Sequence, residues 1–238
     1  TLSLWGASTY TGGTTISGGA LKVGNGATSG ALSAGVVTNN GGLIFNRSDV
    51  ITPNNQIVGT GSVSQIGSGT VIFTSTNTYS GGTSITAGST LQMGNGGTTG
   101  QLGTGAISNN GSIVVNRSDL SAVIGGVISG TGTLTQAGAG RVSLNSANFY
   151  TGATIITGGT LFTATLANGG SNSNIGASTN AAANLVLDGG KLQYGGANIS
   201  TDRLFSVGTG GGTFDLSSTI NFTNTGSMGF NRSEERRV

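Results

Sequence analysis

The chain has 238 residues, enough to bury a sizeable core as one long domain or two ordinary ones. It carries 47 glycines but one proline, 7% charged residues and a net charge of +2, which excludes collagen, the common proline- and charge-rich disordered chain, and a basic nucleic-acid-binding stripe. Cysteine and histidine are absent, so disulfides, thiolate or imidazole metal sites, and Ser-His-Asp or Cys-His catalysis are unavailable.

Thr, Ser, Asn and Gly dominate the polar positions, Lys, Glu and Met are scarce, and Val, Ile and Leu recur steadily. That is the profile of an all-β chain with many tight turns. No apolar run is long enough to span a bilayer as a helix, no basic-then-apolar leader is present, and Thr1 falls in mid-pattern. The chain is therefore read as an internal fragment of a longer protein.

From the N-terminus, ISGGAL (16–21) is the first of a series of units: an apolar residue, a few small residues, then a second apolar residue that serves as an anchor. VTNNGGL (37–43), ITAGSTL (85–91), ISNNGSI (107–113), ISGTGTL (128–134) and ITGGTL (156–161) follow. Past the anchors the sequence alternates, as in Leu21-Lys22-Val23, Leu91-Gln92-Met93, Ile113-Val114-Val115 and Leu192-Gln193-Tyr194. Period two predicts a strand with the anchor and the residue two on facing a core, and the preceding glycine supplies the corner.

With Val63 included, the anchors Leu21, Leu43, Val63, Leu91, Ile113, Leu134 and Leu161 are spaced by 22, 20 and 28 residues, then by 22, 21 and 27. A longer repeat has the same period of about seventy residues. YTGGTTISGGALKVGNGATSGAL (10–32) returns at 79–102, GTGSVSQIGSGTVIF (59–73) at 130–144, and TLSLWGASTYTGGT (1–14) at 70–83. Stacked hairpins would turn every 8–12 residues or so; here an equivalent strand returns only after twenty or more. The prediction is a parallel β-helix, a β-solenoid of about ten coils and about 45 Å. It forms one unit over residues 1–233 with three coils per long period, less regular after 165, where the anchors are Leu192, Phe214 and Met228. Residues 234–238 are a charged tail, read as foreign to the repeat and left out of the fold.

The chemistry-bearing residues are few. FNRSD (45–49) returns as VNRSD (115–119), with a third corner at Phe230-Asn231-Arg232-Ser233. NRSD is read as a strand-end corner with a weak surface ion pair, Arg47 with Asp49 and Arg117 with Asp119. As a catalytic pair, Asp49 and Asp119 would stand about 14 Å apart along the axis if the period is three coils, too far for the roughly 5–9.5 Å of a glycosidase. Asp188, Asp202 and Asp215, with Arg203, come closer in sequence and form the one candidate carboxylate cluster. GNGATSG (24–30) and GNGGTTG (94–100) lack the Lys and the helix of a phosphate loop and are read as corners. Tyr10, Tyr79 and Tyr150 are read as packing aromatics, and Asn39-Asn40 and Asn109-Asn110 as corner asparagines. No metal, cofactor or catalytic residue is assigned.

NTYSGGT (77–83) followed by ITAGSTLQMGNG (85–96), with counterparts at 8–26 and 148–161, resembles the passenger-associated strand repeats of bacterial autotransporters (type V secretion). SNIGASTNAAANLVLDGGKLQYGG (173–196) and STDRLFSVGTGGGTFD (200–215) resemble a segment that often follows them. The resemblance implies a right-handed helix of pectate-lyase-like architecture, on the cell surface, outer-membrane-associated or secreted. It implies a non-catalytic stalk or adhesin segment of a passenger. The alternative is a carbohydrate-active enzyme, a lyase or hydrolase, on the same fold. Glycans, a host surface and identical passengers are the expected partners, with tethering by a translocator barrel of which these residues show no sign; nucleic acid is not among the partners.

Overall fold

A computed structural model of the chain describes residues 1–224, 226, 229 and 230. The expected anchor at Met228, the third corner at 231–233 and the tail at 234–238 lie outside the described residues. The fold is a parallel β-solenoid of about 11 turns, one more than the spacing predicts. Every strand pair is parallel, and the two isolated bridges include one antiparallel contact, between Asn148 and Ser173.

The strands fall in a fixed cyclic order, which gives the rod three faces. Face one is the seven-stranded sheet from Leu2–Leu4 through Ala20–Val23, Gly42–Phe45, Ser62–Gln65, Thr83–Ile85 and Ile107–Asn109 to Ile128–Ser129, resumed by the pair Ile199–Thr201 and Ile220–Phe222. Face two is the nine-stranded sheet from Val50–Ile51 through Thr70–Phe73, Thr90–Met93, Ser112–Val115, Thr133–Gln136, Thr154–Ile156, Leu185–Leu187 and Ser206–Val207 to Gly229–Phe230. Face three begins with Thr14–Ile16, Val37–Asn39 and Ile57–Val58. It resumes with Ala122–Ile124, Arg141–Leu144, Thr160–Thr163, Lys191–Tyr194 and Thr213–Leu216.

Like side chains stack along the axis because each coil repeats the register of the last. Leu21 lies against Leu43 and Leu43 against Val63, and on face two Leu91 sits between Val71 and Ile113. All of these are buried, and each ladder adds aliphatic area to one continuous core, so stability accumulates coil by coil.

The expected three coils per seventy residues needs correction. Val63 does not pair with the next anchor, Leu91, but with Thr83, and Leu91 pairs with Val71 one face further round. Leu134 likewise pairs with Thr154, and Leu161 with Val142. The long spacing is thus one full coil plus a third, so the seventy-residue period advances three and a third coils. Equivalent strands Ala20–Val23, Thr90–Met93 and Thr160–Thr163 occupy faces one, two and three in turn. Opposite the anchors Val63 and Leu134 stand threonines rather than aliphatics, with Ile85 and Ile156 inward two residues on, which is why a count of apolar anchors passes over these strands. Thr83 and Thr154 are buried, and each hydroxyl is hydrogen-bonded to a tyrosine, Tyr79 at 2.8 Å and Tyr150 at 2.7 Å.

Candidate functional site

The NRSD corners close over irregular excursions of the chain. After Val23, residues 24–36 reach face three without a strand on face two; after Met93, residues 94–106 pass face three; after Thr163, residues 164–184 pass face one. Each excursion starts seventy residues after the last and interrupts the next face. An arginine clamps each one. Arg117 donates to the carbonyls of Gly100 at 2.7 Å and Thr98 at 2.6 Å, while Asp119 accepts from Nε and Nη2 of the same guanidinium, both at 2.8 Å. Arg47 does the same to Gly30 and Thr28 with Asp49 behind it. NRSD is therefore more than a corner with a surface ion pair: the aspartate orients a planar donor that satisfies loop carbonyls of the preceding coil. Arg117 holds the Asp119 carboxyl down to about 2, below the usual carboxylate value. The two aspartates stand on different edges of the rod, since Asp49 leads from face one to face two and Asp119 from face two to face three.

The third excursion is held by Arg203, which sequence reasoning grouped with the carboxylates. It is 2% exposed and donates to the carbonyls of Ala167 at 2.7 Å, Gly176 at 2.8 Å and Ser171 at 3.3 Å, and to the Ser178 hydroxyl at 3.0 Å. The three aspartates around it are not brought together. Asp188 follows a strand of face two and accepts from the Gly210 amide at 2.7 Å. Asp202 follows a strand of face one and accepts from the Gly169 amide at 2.7 Å and from Asn180 at 3.2 Å. Asp215 lies within a face-three strand beside Lys191 and Gln193. Acid–base glycosidase chemistry needs two carboxyls converging on one bond, and these three are on separate sheets. Among the described residues no cluster of acidic side chains could hold a metal ion.

Two asparagines do what a strand would do where a face is skipped. Asn77 accepts from the Ile57 amide at 2.8 Å and donates to the Gln101 carbonyl at 2.9 Å. Asn148 accepts from the Ile128 amide at 2.8 Å and donates to the Asn174 carbonyl at 2.6 Å. Their side-chain amides bridge the coils on either side. The corner asparagines Asn39 and Asn109 are fully buried and donate to the Ser62 and Thr133 carbonyls. Tyr79 and Tyr150 are buried in the core, whereas Tyr10 in the first coil is 39% exposed.

The passenger-associated-transport-repeat profile matches residues 1–23, 63–93 and 134–161. The Adhesin BmaC autotransporter of Brucella suis biovar 1 (strain 1330) is 35% identical over 194 residues, covering 68% of this chain and 6% of that protein. Three stretches of the chain are thus passenger-associated-transport repeats, wound into a parallel β-helix. The chain spans only a small part of its curated relative's length, and no solved structure matches it.

The matched passenger segments follow the rotation of the fold. The segment 63–93 starts on face one and ends on face two, and 134–161 starts on face two and ends on face three. These two segments each hand the chain to the next face, whereas 1–23 begins and ends on face one. Outward, the faces differ. Face one presents a column of Ser64, Ser84, Ser108 and Ser129. Face three presents Ser143, Phe162, Gln193 and Asp215.

Proposed function

We propose that the chain is a non-catalytic stalk segment of a surface-displayed or secreted autotransporter passenger, holding adhesive parts of a longer protein away from the cell. The observation that carries this reading is the parallel, in-register stacking of one coil on the next, in a chain whose repeats match the passenger family. Such a rod transmits force and sets distance without a bond-breaking centre, and its internal hydrogen bonds run along the axis. The similarity to an adhesin supports an adhesive role for the whole protein. Tethering is assigned to an outer-membrane barrel elsewhere in that longer chain, and the partners to glycans, a host surface or neighbouring passengers.

The test has two arms. Incubation with plant and bacterial polysaccharides is expected to release neither unsaturated nor reducing ends, and turnover abolished by Asp202→Asn would overturn the reading. An epitope inserted after Gly96, displayed within a full passenger, is expected to be reached by antibody on intact cells. Its absence from the surface of cells that export the passenger would also count against the proposal.

A further inference from the structure

Charge is rare in this chain, and most of it is spent on the fold. Of the four arginines among the described residues, Arg47, Arg117 and Arg203 are each hydrogen-bonded to the carbonyls of an excursion. Arg141 is not. Its guanidinium carbon lies over the Phe162 ring, 4.1 Å from the centroid, its buried Nε has no hydrogen-bond partner, and none of the ion pairs among the described residues includes it. Phe162 stands on the outer face of its strand, between inward Leu161 and Thr163. Gly195 on the next coil makes room for the ring, since a Cβ there would lie 2.6 Å from it.

Arg141, Phe162, Gln193, Asp215 and Ser217 line one open cleft of about 470 Å³ on face three, rimmed by the exposed Leu120 and Leu216. Asp215 accepts from Gln193 at 3.2 Å and Lys191 at 3.4 Å, and its side chain is 43% exposed, so it keeps lone pairs toward solvent. From Arg141 through Thr160 and Lys191 to Thr213 the site rises three coil steps, about 14 Å at the spacing of adjacent strands.

We propose that this cleft binds an acidic oligosaccharide along the rod axis, its carboxylate on Arg141 and its hydroxyls on Gln193 and Asp215. The unpaired planar donor suits a carboxylate. The exposed acceptor carboxylate nearby suits hydroxyl donors and repels a ligand that is purely anionic, such as an acidic peptide. A sugar acid carries both groups on one ring, and the length of the cleft admits more than one ring. The inference goes beyond the stalk reading and does not depend on it, because binding in this cleft requires neither a stalk role nor turnover.

Titration calorimetry of the whole chain with tetragalacturonate, cellotetraose and tetraglutamate tests it. Tetragalacturonate is expected to bind, more weakly as salt is raised, with cellotetraose and tetraglutamate at least tenfold weaker. Arg141→Gln and Gln193→Ala are each expected to lower affinity about tenfold or more with unchanged circular dichroism, while Ser64→Ala on face one leaves it unaltered. Gln193, an outward side chain, keeps the test decisive if Arg141→Gln unfolds the chain. No binding, equal binding of tetraglutamate, or affinity unchanged in the soluble variants would overturn the proposal. Cleavage of the bound oligomer would sink the stalk reading instead and leave the site standing.

Discussion

Arg117 is held in place by Asp119 and satisfies two carbonyls that would otherwise have no protein partner. Arg117→Ala is expected to cost about 1–3 kcal/mol and to speed amide exchange within residues 94–100, read by hydrogen–deuterium exchange. Asp119 adds a pH dependence. Its folded value is depressed from 3.8 to about 2 by the Arg117 hydrogen bond, so the unfolded chain binds the proton more readily. Its contribution is complete above about pH 4 and is lost as pH falls toward about 2. Melting temperatures measured between these limits are expected to fall less in Asp119→Asn than in the parent. Alternation on one strand gives a sharper contrast. Leu91 is fully buried between Val71 and Ile113 while Gln92 points outward. Leu91→Lys is expected to destabilise by several kcal/mol and Gln92→Lys by almost nothing, as read by chemical denaturation.

The excursions pose a problem that strands do not: a coil that skips a face leaves backbone groups above and below without a ladder partner. Asn77 and Asn148 meet those groups with side-chain amides, one acceptor and one donor each. Asparagine fits because its short amide offers both functions at fixed distance. Asn148→Ala would strand the Ile128 amide and the Asn174 carbonyl. It is expected to cost about 1–3 kcal/mol, with faster exchange at Ile128 as the local reading, whereas Asn145→Ala in the same segment should change neither. The coils also approach each other closely where the arginine clamps turn: a Cβ on Gly138 would lie 2.2 Å from the Arg117 carbonyl oxygen, so Gly138→Ala must displace the corner.

For the entire rod, the consequence of a period of three and a third coils is rotation. Equivalent excursions point from successive faces, so the irregular loops are distributed around the axis rather than lined up on one side. Removal of one whole period, residues 70–140, is expected to leave a folded rod shortened by about 16 Å, because Arg141–Leu144 stands at the repeat position of Thr70–Phe73 and can take its place. Small-angle scattering would read the length; an unfolded product would contradict local, coil-by-coil stability. At the first coil Leu2 and Trp5 are 67% and 62% exposed and the strand Leu2–Leu4 has one free edge. The chain is therefore expected to associate end to end as concentration rises, and Trp5→Ser with Leu2→Lys to suppress this in sedimentation velocity.

Strand positions, inward anchors and parallel stacking were legible in the residues alone, because alternation at Leu21-Lys22-Val23 and glycine corners are local properties of the backbone. So was the seventy-residue period. What the period means geometrically was not. Thr83 and Thr154 fill core positions as hydroxyl-bonded polar residues, so a search for apolar anchors counts three coils where the chain makes a third of a turn more. The roles of Arg203 and Arg141 were equally hidden, since a composition cannot distinguish an arginine wrapped in carbonyls from one laid over an aromatic ring. Local pattern decides which way each side chain points; only stacking decides what it then meets, because that neighbour lies a full coil away in the chain.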